Sequence, residues 1–310
     1  MEPITLSSAN ILATNANRPI CKVSFYADPT HPIVTNQQVF LHCYNIGSDG
    51  RSLTEIIWQA AYSDPKTNCA LSFDELAEKI TRIFVQNIGN VILQNGLSCC
   101  VNLQDLDIGC NENDHFFDLN IPSEIFKNTP RLKSLSLRSI VLTNDSLAAV
   151  ASLHNQLEYL RLRNVEPGFE LIKLIPNFTK LRHIYLRNIC KNTPIPTNIF
   201  RASSNQLTWI TIENCCLDKI LAEMFQGMTN LIKLELFECG ITMIEPNAFD
   251  DLTDLRELSM TCNKVQALPK GLFKNLKKLT HVDFSNNEIE TGSVSRHNFA
   301  HCQDLVRLEL

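Results

Sequence analysis

The sequence predicts an α/β solenoid, with short parallel strands stacked into one sheet and irregular or short-helical segments returning behind it. Two observations predict it. The first is an apolar phrase that recurs about every 24 residues. It reads Leu132, Leu135, Leu137; Leu157, Leu160, Leu162; Leu181, Ile184, Leu186; Leu207, Ile210, Ile212; Leu231, Leu234, Leu236; Leu255, Leu258, Met260; and Leu279, Val282, Phe284. Upstream copies start at Leu103 and, more weakly, at Ile80, and another starts at Leu305; neighbouring copies begin 23 to 29 residues apart. The second is a return-segment phenylalanine in most turns: Phe126, Phe200, Phe225, Phe249, Phe273 and Phe299.

A period of this length with this pattern marks a leucine-rich repeat horseshoe, with a parallel β-sheet on the concave face and an irregular or short-helical convex side. Solenoid turns contact only their neighbours, so length adds turns rather than separate globules. The elements follow in order. Residues 1–20 are polar and are expected to be disordered. Residues 21–79 do not fit the repeat and read as an N-terminal cap region whose sheet edge covers the first turn. Within it, Val39–Tyr44 alternates apolar and polar and predicts a strand. Ser72-Phe-Asp-Glu75 resembles a capping box and predicts a short helix to about Lys79. Residues 80–310 form the solenoid, about ten turns with the last truncated. In each phrase the first, fourth and sixth residues face the core. The phenylalanines stack behind them as a spine, which must be built differently in the turns starting at Leu132 and Leu157.

The ninth position of such a phrase usually holds an inward Asn. Here it is Asn only at Asn111, Asn263 and Asn287; it is Cys215 and Cys239 in two turns, and Ile88, Ile140, Val165 and Ile189 in others.

The 24-residue phrase with Leu-Pro-x-x-x-Phe-x-x-Leu, clearest over Leu268–Leu279, resembles extracellular-type leucine-rich repeat proteins: Toll-receptor ectodomains, chaoptin-like adhesion proteins and insect leucine-rich immune proteins. The resemblance covers about residues 80–310. It implies a non-enzymatic protein-binding or ligand-recognition module, in innate immunity or in cell-surface adhesion and signalling. The cap departs from the usual four-cysteine pattern, since only Cys21, Cys43 and Cys69 precede the repeats.

Composition limits the alternatives. The formal net charge is −5, which argues against a general nucleic-acid partner. No apolar run is long enough for a membrane-spanning helix. The first residues lack the charge and apolar core of a signal peptide, yet the chain has twelve cysteines and two glycosylation sequons, at Asn144 and Asn177. Disulfides persist outside the cytosol, so these signals favour an extracellular or cell-surface location and a chain that is a piece of a longer protein. The alternative is a cytoplasmic scaffold or ubiquitin-ligase substrate adaptor, which the ninth-position cysteines resemble; a non-functional gene fragment is a third reading. Disulfide candidates are Cys21 with Cys43, and Cys69 with Cys99 or Cys100; the connectivity is not readable from sequence. Cys215 and Cys239 read as buried thiols rather than a bonded or metal-binding pair. No catalytic motif, phosphate loop, metal ligand set or cofactor site is present.

Side chains at the third, fifth and seventh positions point to concave solvent. There the turns from Leu132 to Leu207 gather Arg138, Tyr159, Arg161, Arg163, His183, Tyr185, Arg187 and Trp209. Arg and exposed aromatics are enriched at binding hot spots. The patch therefore predicts a protein or glycan ligand, acidic in character. The opposing reading is ordinary soluble surface, with Arg187 paired to Glu213.

Overall fold

The computed structural model describes residues 20–26, 38–46, 80–88, 97, 100–109, 116–190, 192–290, 292–294 and 296–310. The chain divides into two compact units, Met1–Leu157 and Glu158–Leu310. The predicted helix from Ser72 lies outside the described residues.

In the first unit, β1 (Ile20–Tyr26) pairs antiparallel with β2 (Gln38–Ile46), and Cys21 stands opposite Cys43 in that register. The predicted strand over 39–44 is thus the middle of β2, whereas β1 is an addition. Parallel pairing begins with β3 (Ile80–Ile88), so the β1–β2 pair closes the edge of the first repeat. β4 (Asp105–Gly109) follows, and β5 (Phe117–Leu119) pairs with the far half of β6 (Ser134–Leu142). Leu103, Leu106, Ile108, Leu132, Leu135 and Leu137 are all buried to within 1%. Burying each such side chain contributes about 1.5–3 kcal/mol.

The turn from Leu132 has no return-segment phenylalanine because a helix fills that space. α1 (Asn144–Ser152) is capped by Thr143, whose hydroxyl accepts from the Ser146 amide at 3.2 Å. The Ser146 hydroxyl is fully buried, accepting from Ile121 N–H at 2.7 Å and donating to the Leu119 carbonyl at 2.9 Å. Helix and preceding return segment are thereby tied together.

In the second unit, β7 (Tyr159–Glu166) leads into α2 (Gly168–Leu174), which again replaces the missing phenylalanine with Leu171 and Ile172. Gly168 is required there: a Cβ would lie 1.9 Å from the Ile189 carbonyl oxygen. The remaining strands, β8 (His183–Arg187) and β9 (Trp209–Glu213), then β11 (Lys233–Phe237), β13 (Glu257–Ser259), β14 (His281–Asp283) and β15 (Arg307–Glu309), pair parallel in unbroken register with β7. Two-residue strands β10 (Lys219–Ile220) and β12 (Met243–Ile244) pair behind them. The phenylalanine spine is present: Phe200 stacks on Phe225 at 6.4 Å, Phe225 meets Phe249 at 6.1 Å, and Phe273 stacks on Phe299 at 4.9 Å.

A second regularity sits just past each strand. The eighth residue of each phrase from Leu132 to Leu279 is left-handed, with φ of 50–60° at Ser139, Asn164, Asn188, Asn214, Glu238, Cys262 and Asn286. Asn tolerates this region better than other side chains. Three of these amides form a ladder: Asn214 donates to Asn188 and Asn188 to Asn164, each at 2.5 Å.

The ninth residue turns inward. Asn263 accepts from the amides of Cys239 and Ile241 at 2.9 and 3.2 Å, and donates to the carbonyls of Leu236, Met260 and Thr261. Cys239 copies only the donor half, with Sγ 3.3 Å from the Ile212 carbonyl and 3.1 Å from that of Phe237. Cys215 does the same toward Glu213 at 3.4 Å. Both are buried, unbonded thiols.

Candidate functional site

Strand alternation places third-, fifth- and seventh-position side chains on the solvent side, as in the alternating burial of β8. In the second unit the third-position column runs Tyr159, His183, Trp209, Lys233, Glu257. Stacked strands lie about 4.8 Å apart, and these side chains touch in sequence. Tyr159 and His183 meet edge to face, centroids 4.6 Å apart; His183 and Trp209 are 5.6 Å apart; and the Lys233 ammonium lies 4.7 Å over the Trp209 ring. Such ring pairs add about 0.5–1.5 kcal/mol each beyond area burial.

The fifth and seventh columns supply the frame. Arg161 lies 5.2 Å over the Tyr185 ring. The Tyr185 hydroxyl donates to Glu213 at 2.8 Å, and Arg187 approaches the same carboxylate at 3.3 Å. Trp209 donates its indole N–H to Thr211 at 2.9 Å and to Glu235 at 3.1 Å, while Thr211 donates to Glu235 at 2.7 Å. Lys233 bridges Glu235 and Glu257 at 3.0 and 3.1 Å. Burial and the Glu213 carboxylate push the Tyr185 phenol up. Burial pulls Lys233 down, but its two glutamates outweigh that and its pKa is raised. Burial and then Arg182 push His183 down.

Of the eight predicted residues, seven lie on this face: Tyr159, Arg161, Arg163, His183, Tyr185, Arg187 and Trp209. Tyr159 and Trp209 are 39% and 40% exposed and Arg161 is also exposed, while the others are half-buried. Arg138 belongs to the first unit, where it pairs with Asp107 at 2.9–3.0 Å and lies 5.1 Å over Phe84. Arg163 and Arg187 are register partners, the like-charged row expected from sequence. The anticipated Arg187–Glu213 pair is present. Sequence reasoning missed the organising role of Glu213, Thr211, Glu235 and Lys233. Their signal lay partly within columns, where Thr211 faces Glu235 and Lys233 faces Glu257 one strand on, and partly on diagonals, from Tyr185 to Glu213 and from Trp209 to Glu235.

The other candidates sit elsewhere. Asn144 is the exposed first residue of α1, and Asn177 is exposed in the turn Ile175–Asn177, beside the fully buried Phe178. Cys100 is buried; Cys69 and Cys99 lie outside the described residues. Burial drives the thiols of Cys190 and Cys239 up to about 12. Among the described residues, no cluster of His, Cys, Asp or Glu could hold a metal ion, and no helix is long and apolar enough to cross a membrane.

Comparison with known proteins agrees with this architecture. Residues 205–264 and 253–310 match the leucine rich repeat family model. Chaoptin of Drosophila melanogaster is 28% identical over 187 residues, covering 58% of this chain and 14% of chaoptin. Keratocan of Bos taurus is 27% identical over 148 residues, covering 46% of this chain and 39% of keratocan. The chain thus spans well under half the length of these relatives. Among solved structures, that of a TLR13–ssRNA13 complex superposes with a TM-score of 0.57 at 18% identity, covering 75% of this chain and 33% of that one. A Drosophila Toll–Spatzle complex superposes at 0.52 and 12% identity, covering 92% and 48%. The fold is a leucine-rich repeat solenoid, and the chain resembles extracellular-type leucine-rich repeat proteins.

Proposed function

We propose that the chain is a non-enzymatic recognition module of the extracellular leucine-rich repeat type, acting in innate immunity or cell-surface adhesion, and that it binds through the solvent-facing side of β7–β11. One observation carries this reading. Tyr159 and Trp209 project into solvent but are held in place from beneath, Trp209 by Thr211 and Glu235 and both through His183. Rings whose rotamers are already fixed lose little entropy on binding, and Trp, Tyr and Arg dominate interface energetics. The similarity to chaoptin, and to structures captured as a Toll–Spatzle and a TLR13–RNA complex, supports a binding rather than a catalytic role.

The location proposed is extracellular or cell-surface. The exposed sequon asparagines Asn144 and Asn177 support it, as does the Cys21–Cys43 backbone register, and a disulfide between those cysteines belongs to the proposal. The intracellular adaptor is the second reading, favoured by the buried thiols of Cys215 and Cys239.

Two measurements test the proposal. Intact mass of protein from its native source, with thiol alkylation and glycosidase treatment, is expected to reveal glycan at Asn177 or Asn144 and fewer than twelve free thiols. A bare chain with every thiol free would favour the adaptor. Tetramerised protein applied to a panel of cell-surface and secreted proteins is expected to select a partner and lose it on Tyr159→Ser with Trp209→Ser. Unchanged binding by the double variant would sink the site.

A further inference from the structure

The stripe on β7–β9 has a shape as well as a composition. His183 is half-buried between the two more exposed rings of Tyr159 and Trp209, which stand two strand spacings apart, about 10 Å. The three side chains therefore form a notch: Tyr159 and Trp209 are its walls and His183 its floor. Beside its Tyr159 wall stands Arg161, two residues along β7, exposed and lying over Tyr185. Arg161 is paired with no carboxylate among the described residues.

The charge around the notch is uneven. Over β7–β9 the fifth and seventh columns carry Arg161, Arg163 and Arg187 against Glu213 alone. Over β11–β14 the same face carries Glu235, Glu257 and Asp283 against Lys233. A ligand centred on the notch meets positive potential toward β7 and β8.

Resting on the binding reading above, we infer that this site takes a polypeptide segment: an apolar side chain of the partner enters the notch between Tyr159 and Trp209, and a neighbouring acidic side chain pairs with Arg161. Two features of the site favour a polypeptide over a nucleic acid or a stacked sugar. Bases bind single-strand platforms through open ring faces. Here the rings are turned on one another, 78° between Tyr159 and His183, and Lys233 covers a face of Trp209. Glu213, Glu235 and Glu257 also stand on the adjoining strands, where a run of phosphates would meet them. A single carboxylate placed over β7 meets Arg161, with Arg163 two residues further along the same strand.

The test is selection of a displayed library of random linear peptides on the whole chain. Selected peptides are then titrated against Arg161→Glu, Tyr159→Ser, Trp209→Ser and, as a remote control, Lys277→Glu. The expected peptides carry Asp or Glu close to a bulky apolar residue. Arg161→Glu weakens them about tenfold, changing the peptide acid to Lys recovers part of that loss on the Arg161→Glu protein, and Lys277→Glu changes nothing. If the peptides depend on Tyr159 and Trp209 but tolerate loss of their acid, the acidic class is wrong and the binding site stands. If they ignore all three site substitutions, or if none is selected, both the inference and the site reading fall. Tighter, Arg161-dependent binding of a uridine oligomer or a heparin oligosaccharide would overturn the polypeptide assignment alone.

Discussion

Replacing Asn263 with alanine removes one buried side chain that serves five backbone groups. Asn263 is 6% exposed. Its Oδ1 is the acceptor for the amides of Cys239 and Ile241, and its Nδ2 reaches the carbonyls of Leu236, Met260 and Thr261. Met260 keeps a second donor, Nδ2 of Asn287 at 2.8 Å, so the cost concentrates on the two amides and the Leu236 carbonyl. A buried group left without its partner costs about 1–3 kcal/mol. Three such groups, relieved in part by local relaxation, give a loss of about 3–5 kcal/mol. Urea unfolding followed by circular dichroism measures the total. Hydrogen exchange locates it, because protection should fall first at the Cys239 and Ile241 amides. Asn263→Cys is the internal control. The chain already uses a thiol in this position at Cys239, keeping the donor contacts and forgoing the acceptor ones, so about half the loss is expected. A loss below about 0.5 kcal/mol for Asn263→Ala, the range of ordinary surface changes, would refute the reasoning. So would unchanged exchange at the two amides.

Four further outcomes follow from the geometry. Phe249→Ala opens the spine beside Phe225 and is expected to cost about 3–5 kcal/mol in the same unfolding assay. Gly168→Ala forces a Cβ against the Ile189 carbonyl; it is expected to destabilise by more than about 1 kcal/mol, opposite in sign to the usual gain from Gly to Ala. Burial and the Glu213 carboxylate together hold Tyr185 up, so on Glu213→Gln spectrophotometric titration of that phenol should move part of the way back toward the ordinary tyrosine range. His183 is held low by burial and Arg182, so the unfolded imidazole takes up its proton near 6.5 while the folded one resists. Its stability contribution is complete above pH 6.5 and is lost as pH falls below it. The melting temperature of His183→Gln should consequently fall less steeply than wild type on acidification below that pH.

The strands from Ile80 onward were legible because each apolar triplet must face the core, and a period-2 pattern repeated about every 24 residues leaves one register. The helices were not, because α1 and α2 occupy return segments of ordinary length and only Thr143-x-x-Ser146 marks a cap. The left-handed column could have been read from Asn164, Asn188, Asn214 and Asn286 sharing the eighth position; Ser139, Glu238 and Cys262 broke that signal. At the site, residue types and columns were readable, since both follow from alternation. The pairing was not. Whether Glu213 serves Arg187, Tyr185 or both depends on side-chain reach across a strand, and the structure places Tyr185 and Arg187 on the same carboxylate. Arg138 was readable by column in the same way, but its contacts with Asp107 and Phe84 were not.

The inward thiols also sort the described cysteines by chemical reach. A thiol raised to about 12, as at Cys190 and Cys239, is ionised in only about one molecule in 10⁵ at neutral pH, and the thiolate is the species that reacts. Cys215 and Cys302 are likewise raised by burial. Cys262, at the end of its phrase, is exposed to solvent. Within the second unit a maleimide dye should therefore enter at Cys262 well before the buried thiols, at the rim of the face that carries the notch. That places a fluorescent reporter on the unit without introducing a new cysteine.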